Sequence, residues 1–214
     1  MTYCAFVARS LVLVVIALGA SVAPVRDACA QTEKTMLHDD MHGQPVRSPY
    51  ITEQEFENII LGEKARLGAL LTVESVDEAT RLLGPPNSRE VIELNAAPYL
   101  EKTALMYDGF TVEYLKTTSG TFLVELKTTT SKWPVRVGDT DVVPGMDASG
   151  LSETVRNAAQ PSDDNPAHSL TYVKLYDAQA TSRAEKEMNE HTSIGIKIND
   201  LSGDVVWFRI HRVI

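Results

Sequence analysis

Residues 104–127 read ALMYDGFTVEYLKTTSGTFLVELK, and this stretch decides the fold. Ala104 to Tyr107 and Phe110 to Leu115 flank Asp108-Gly109, a pair that accepts the positive backbone angles of a tight hairpin loop. After Ser119-Gly120 the chain runs extended again from Thr121 to Lys127, with Phe122, Val124 and Leu126 on one face and Glu125 and Lys127 on the other. Three antiparallel strands with one apolar face need a cover, and the cover is expected upstream.

Thr52-Glu53-Gln54-Glu55 is a capping box: the threonine oxygen can accept from the backbone of Glu55 while the glutamate reaches back to the cap. Ile51 and Phe56 complete a hydrophobic staple around it. A helix starting at Thr52 then carries Phe56, Ile59, Ile60, Leu67, Leu70 and Leu71 at helical spacing, with Gly62 and Gly68 as points where it can break. Ser75-Val76-Asp77-Glu78 caps a second, shorter helix with Val76, Ala79 and Leu83 on its buried face. Gly84 and Pro85-Pro86 stop it.

The same grammar recurs after Trp133-Pro134. Leu151, Val155, Ala158 and Ala159 have helical spacing and end at Pro161. Leu170 to Tyr176 reads as a strand, and Ser193 to Ile198 with Val205 to Val213 as a hairpin across Leu201-Ser202-Gly203. The Gly120 and Gly203 turns lie 83 residues apart and Arg81 and Arg156 lie 75 apart, offsets that fit a degenerate tandem repeat. The expected architecture is α+β: an antiparallel sheet packed by helices on one face, in two helix-helix-strand-strand-strand repeats over 51–133 and 134–214.

Outside this 51–214 domain, residues 1–30 read as a signal peptide. Arg9 is the positive region, Leu11 to Ala20 (LVLVVIALGA) the short apolar core, and Ala28-Cys29-Ala30 the small-residue cleavage site before Gln31. Its apolar run is too short for a bilayer of roughly 30 Å, so no stable membrane span is expected once it is cut. Arg26 and Asp27 before Cys29 do not fit the apolar motif that precedes a lipid-modified cysteine. Residues 31–50, polar and carrying Pro45 and Pro49, read as a flexible leader.

The 214 residues are 43% hydrophobic and 23% charged, which excludes a disordered or collagen-like chain. Both cysteines, Cys4 and Cys29, fall in the signal peptide, so the mature chain has no thiolate nucleophile or disulfide. With Arg9, Arg26 and Asp27 removed, the net charge moves from −9 to −10, and no basic run is present. Nucleic acid is therefore not an expected partner.

Chemical motifs are sparse. His38-Asp39-Asp40-Met41-His42 would bring two imidazoles together only on a helix, and no third ligand follows at a fixed spacing. Ser169, His191 and Asp200 could be assembled into a triad, but no nucleophile-elbow string surrounds any serine. Asp163-Asp164 and Glu185 with Glu187 sit in polar stretches and read as solvated charge. Phosphate loops, dinucleotide fingerprints and calcium loops are absent. Neither a catalytic residue nor a metal or other cofactor is expected.

Leu83-Gly84-Pro85-Pro86, the Tyr107-Asp108-Gly109 hairpin, the Gly120-turned strand, Trp133 and Val137-Gly138-Asp139-Thr140 occur in an order that resembles the β-lactamase-inhibitor-protein-like fold and the related small outer-membrane assembly lipoproteins. The resemblance covers Thr52 to Ile214. It implies a non-catalytic module, periplasmic or extracellular, that grips another envelope or secreted protein with a sheet face and its loops. The aromatic residues beside the turns, Tyr107, Tyr114, Trp133 and Trp207, are the candidate contacts, because large planar side chains concentrate binding energy. Each also fits core packing, Trp133 and Trp207 most of all. The alternative is a carrier of a small lipid-like molecule in an apolar cavity lined by Phe110, Leu123 and Ile196.

Expressed from its full reading frame in an exporting host, the protein should be recovered with an intact mass that starts at Gln31. A recovered chain that still carries Leu11 to Ala20 would contradict the reading of residues 1–30.

Overall fold

The computed structural model describes residues 35–39, 45–176 and 192–212. The chain opens with β1 (Thr35–Asp39) and β2 (Pro45–Thr52), paired antiparallel from Thr35↔Pro49 to Asp39↔Pro45. The described parts of the polar leader, 35–39 and 45–50, are thus paired strands rather than irregular chain. Two strands near a sheet edge need no apolar period of their own, and prolines are tolerated there.

The capping box at Thr52 is formed in both directions. Thr52 Oγ1 accepts from Glu55 N at 3.3 Å, and Glu55 Oε2 accepts from Thr52 N at 3.0 Å. Helix α1 (Glu53–Glu57) nevertheless lasts five residues. The apolar period that seemed to continue it passes through a tiny hairpin, β3 (Ile60–Leu61) and β4 (Ala65–Arg66), before α2 (Leu67–Leu71). Gly62 and Glu63 both take positive φ, +56° and +58°, and turn the chain back there, and β3 pairs onward with residues 135 and 136. Helix α3 (Val76–Leu83) runs as expected, with Val76, Ala79 and Leu83 buried and Gly84 at φ +88° closing it. Its cap is altered by one residue, since Glu78 Oε2 accepts from Glu74 N instead of Ser75 N.

A four-strand meander follows: β5 (Ser88–Ala96), β6 (Tyr99–Tyr107), β7 (Phe110–Thr117) and β8 (Thr121–Thr128). Gly109 turns at φ +74° and the expected hairpin is present. One detail of facing changes. The register shifts between Glu113 and Tyr114, and this bulge alters the phase of β8, so that Leu123 and Leu126 point inward while Phe122 and Val124 are only half-buried.

The chain then adds β9 (Val135–Val137) and β10 (Thr140–Val142), which join β3 and β4 in a small separate sheet. Helix α4 (Glu153–Asn157), β11 (Gln160–Ser162), β12 (Asn165–Tyr176), β13 (Ser193–Asn199) and β14 (Val205–His211) complete the described residues. Across the large sheet the order is β1-β2-β12-β13-β14-β8-β7-β6-β5, with β11 on the flank of β12. Every neighbouring pair is antiparallel except β2 and β12, which run parallel from Tyr50↔Lys174 to Thr52↔Tyr176. The sheet is therefore mixed, and strands rather than helices dominate this α+β chain.

One face of the sheet carries the helices. Thr103 and Leu105 on β6, Phe110, Val112 and Tyr114 on β7, Leu123 and Leu126 on β8, Ile194, Ile196 and Ile198 on β13, and Phe208 and Ile210 on β14 are all buried against the helical side. Their partners include Leu67 and Leu70 of α2 and Val76, Ala79 and Leu83 of α3. A fully buried leucine contributes about 1.5–3 kcal/mol relative to exposure, so this layer supplies most of the driving force. Among the described residues, no helix is long and apolar enough to cross a membrane.

Gly62 is a sensitive joint. A Cβ there would meet the Trp133 ring at 2.5 Å, whereas a Cβ on Gly138, at φ +60°, would meet nothing within 4 Å. Gly138→Ala should cost about 1 kcal/mol for its backbone angle alone, and Gly62→Ala about 1–3 kcal/mol more through the clash. Urea denaturation of the two variants measures the difference.

Candidate functional site

The period-2 geometry of the sheet puts every second residue on the face that the helices leave bare. Among the described residues, this outer face carries Lys102 on β6, Thr111, Glu113 and Leu115 on β7, Glu125 and Lys127 on β8, and Trp207, Arg209 and His211 on β14. On β12 and β13 it carries Leu170, Tyr172, Ser193, Gly195 and Lys197. It is a mixed surface, and its charges are paired in place. Lys102 Nζ lies 2.7 Å from Glu113 Oε2, and Arg209 donates to Glu125 Oε2 at 2.5 Å. His211 Nδ1 stands 3.9 Å from the same glutamate oxygen.

Gly195 lies beneath two of the rings on this face. A Cβ on this residue would lie 3.1 Å from the Trp207 ring and 3.7 Å from Tyr172, so both rings lean over bare backbone. Lys127 Nζ sits 5.5 Å from the centre of the Trp207 ring and holds it by a cation–π contact. Trp207 is half-buried and Tyr172 is 49% exposed. Between them is an open hollow of about 140 Å³ with Gly195 in its floor and Arg209 and His211 at its end. Arg209 Nε and His211 Nδ1 are enclosed there without a hydrogen-bond partner among the described residues. A larger, shallow hollow of about 340 Å³ adjoins it, lined by Tyr99, Lys102, Glu113, Leu115, Glu125 and Arg212. Burial holds the Arg212 guanidinium below its ordinary value, against the pull of Glu53.

Lys197 is the buried charge of this face. Only 7% of its side chain is exposed, and its ammonium donates to both carboxylate oxygens of Asp164 at 2.7 Å. Asp164 itself stands in the turn between β11 and β12 with 71% of its side chain in solvent. The pair thus clips that turn onto the sheet. Hydrogen bonds from Lys197 and then from Ser162 push the Asp164 carboxyl down to about 2.

Three of the four aromatic contacts expected from the sequence belong elsewhere. Tyr114 is wholly buried, its hydroxyl reaches Leu70 O at 3.4 Å, and burial followed by the neighbouring Tyr107 pushes its pKa up. Tyr107 donates to Gly84 O at 3.0 Å, and burial raises it to about 12. Trp133, 7% exposed, stacks on Phe110 with 4.3 Å between ring centres and meets Tyr107 at 5.2 Å. These rings face the helices because Tyr107, Phe110 and Tyr114 share the inward phase of β6 and β7. Tyr114 and Trp133 are thus buried in the core, and Tyr107 is half-buried against it. Trp207 alone has the outward phase, readable in the alternation of Trp207, Arg209 and His211 with Phe208 and Ile210. Tyr172 and Gly195 were missed, since only the β12–β13 pairing brings them beside Trp207.

The carrier's cavity residues are also core. Phe110, Leu123 and Ile196 are 2%, 1% and 4% exposed and packed within the main apolar cluster. Ser169 Oγ donates to Asp200 Oδ1 at 2.7 Å, while His191 lies outside the described residues, as do Glu185 and Glu187. His38 falls in strand β1 rather than on a helix, and His42 lies outside the described residues. Among the described residues, no three His, Cys, Asp or Glu side chains gather as a metal site.

Compared with family models, with curated proteins and with solved structures, the chain finds no match in any of the three.

Because the folded Asp164 carboxyl lies below its unfolded value near 3.9, its contribution to stability is full above about pH 4 and is lost as the pH falls towards about 2. Asp164→Asn should be less stable than the wild type at pH 6, and the gap should close by pH 2. Thermal melts of both proteins across that range check it.

Proposed function

We propose that this chain is an exported, non-catalytic protein-binding module that takes its partner on the outer face of the sheet. The observation that carries the reading is the pair of outward rings, Tyr172 and Trp207, leaning over Gly195 on the face that carries none of the described helices. Rigid aromatic side chains over a bare backbone floor make an anchor with little entropy left to lose on binding. Arg209 and His211 close the end of the hollow and place positive and imidazole groups beside the rings. Paired charges around the rim would set register more than affinity.

The architecture also supports two degenerate repeats. The meander β6-β7-β8 and the meander β12-β13-β14 meet through their last strands, β8 and β14, with α1 to α3 ahead of the first and α4 ahead of the second. That layout is in keeping with the resemblance to β-lactamase-inhibitor-protein-like folds, in which a helix-backed sheet presents its open side. With export, the partner would be an envelope or extracellular protein. It would carry an aromatic or aliphatic side chain for the hollow and charges of both signs around it.

Tagged protein is used to capture partners from envelope and secreted extracts, with bound proteins read by mass spectrometry. A stoichiometric partner should be lost, with affinity falling at least about tenfold, when Trp207 or Tyr172 becomes alanine. Capture unaffected by both substitutions would overturn the assignment of the face. The melting temperature should stay within a few degrees of wild type for Tyr172→Ala, because half of that side chain is already in water.

A further inference from the structure

The sheet stops at β5. Among the described residues this strand pairs only with β6, so its outer edge offers a row of open backbone donors and acceptors. From Ser88 to Glu93 the ladder with β6 is regular, and it shifts only between Glu93 and Ala96, so this part of the edge keeps an even hydrogen-bonding pitch. Val91 and Ile92 in its middle are 48% and 47% exposed, one on each face. An apolar pair on an open edge is a surface that normally calls for a covering strand.

We infer that the covering strand is β5 of a second copy, paired antiparallel about a two-fold axis at Val91. The charges select this occupant and this register. In it Val91 faces Val91, Glu90 faces Ile92, and Arg89 faces Glu93 of the second copy, an opposite-charge pair that the symmetry makes twice. A register centred on Glu90 sets that glutamate against itself, and one centred on Ile92 brings no charge pair together. Directly opposed charges on neighbouring strands act with the sign of the pair, favourable for Arg with Glu and unfavourable for like charges. Arg89 is already held at the edge by Asp77 Oδ1 at 2.8 Å, with 42% of its side chain exposed. Its five N–H donors can keep that contact and still reach a glutamate. Because opposed residues share a face, the outer faces of the two copies would lie on the same side of one continuous sheet.

Sedimentation equilibrium of the protein purified from its full reading frame tests this, at concentrations up to about 100 µM, which reads a weak dimer. The wild type should dimerise reversibly. Arg89→Glu and Glu93→Arg should each weaken the dimer at least about tenfold by opposing like charges. The double variant R89E/E93R should return it to within about threefold of wild type. The intrachain bond to Asp77 is lost in both Arg89 variants, so recovery in the double variant reads the contact between copies. A wild type that stays monomeric throughout, single variants that dimerise as well as wild type, or a double variant that fails to recover would each overturn the inference.

Discussion

The ladder between β8 and β14 is the interaction on which the rest of this structure depends. Phe208↔Thr128, Arg209↔Lys127, Ile210↔Leu126 and His211↔Glu125 join residues eighty or more positions apart and turn two meanders into one sheet. Without that ladder each meander would expose an edge and half of an apolar face. With it, Leu126 and Ile210 continue a single inner layer, and α1 to α4 suffice to cover it. The same pairing fixes what lies outside: Arg209 and His211 are delivered to Glu125, and Trp207 to Lys127. Core and candidate site are thus two sides of one register, and a slip of one residue would exchange them.

The outer face is polar but not loosely so. Lys197, buried between neighbouring strands, is stabilised by two contacts to an exposed carboxylate, and Lys102 and Arg209 are each matched by a glutamate on the next strand. Arranged this way, the face keeps its net charge low while holding its side chains in one geometry. The partly exposed Lys102–Glu113 and Arg209–Glu125 pairs add little to stability. Their effect is to pre-order a surface, which lowers the entropy cost of a later contact.

Much of the local structure was readable because its causes are local. Thr52, Ser75, Gly84, Gly109 and Gly203 each act within four residues, through a side-chain cap or a positive backbone angle, and all five stand where the sequence placed them. The failures have one common cause, which is pairing between distant segments. Phe56, Ile59, Ile60, Leu67, Leu70 and Leu71 fit a helix by spacing, yet Ile60 pairs with Arg136 on β9 and the helix is interrupted. Pro45 to Tyr50 looked like leader because nothing local shows that Tyr50 will lie beside Lys174 on a parallel strand. The bulge at Glu113-Tyr114 depends on β8 and cannot be seen in β7 alone. For the same reason the facing of Tyr107, Tyr114 and Trp133 was not legible from their places beside turns. Proximity to a turn says nothing of facing, whereas the alternation around Trp207 does.

The central claim is that the helices close one face of the sheet and leave the other open to a partner. The sequence contains only Cys4 and Cys29, so single cysteines introduced after both are replaced by serine can report accessibility directly. Thiol-labelling rates should be compared for cysteine at Lys102, Thr111 and Tyr172 on the outer face and at Thr103, Val112 and Thr171 on the inner one. The account predicts fast labelling of the first set in the folded protein and protection of the second until denaturant unfolds it. Equal rates, or protection of the outer set, would contradict it.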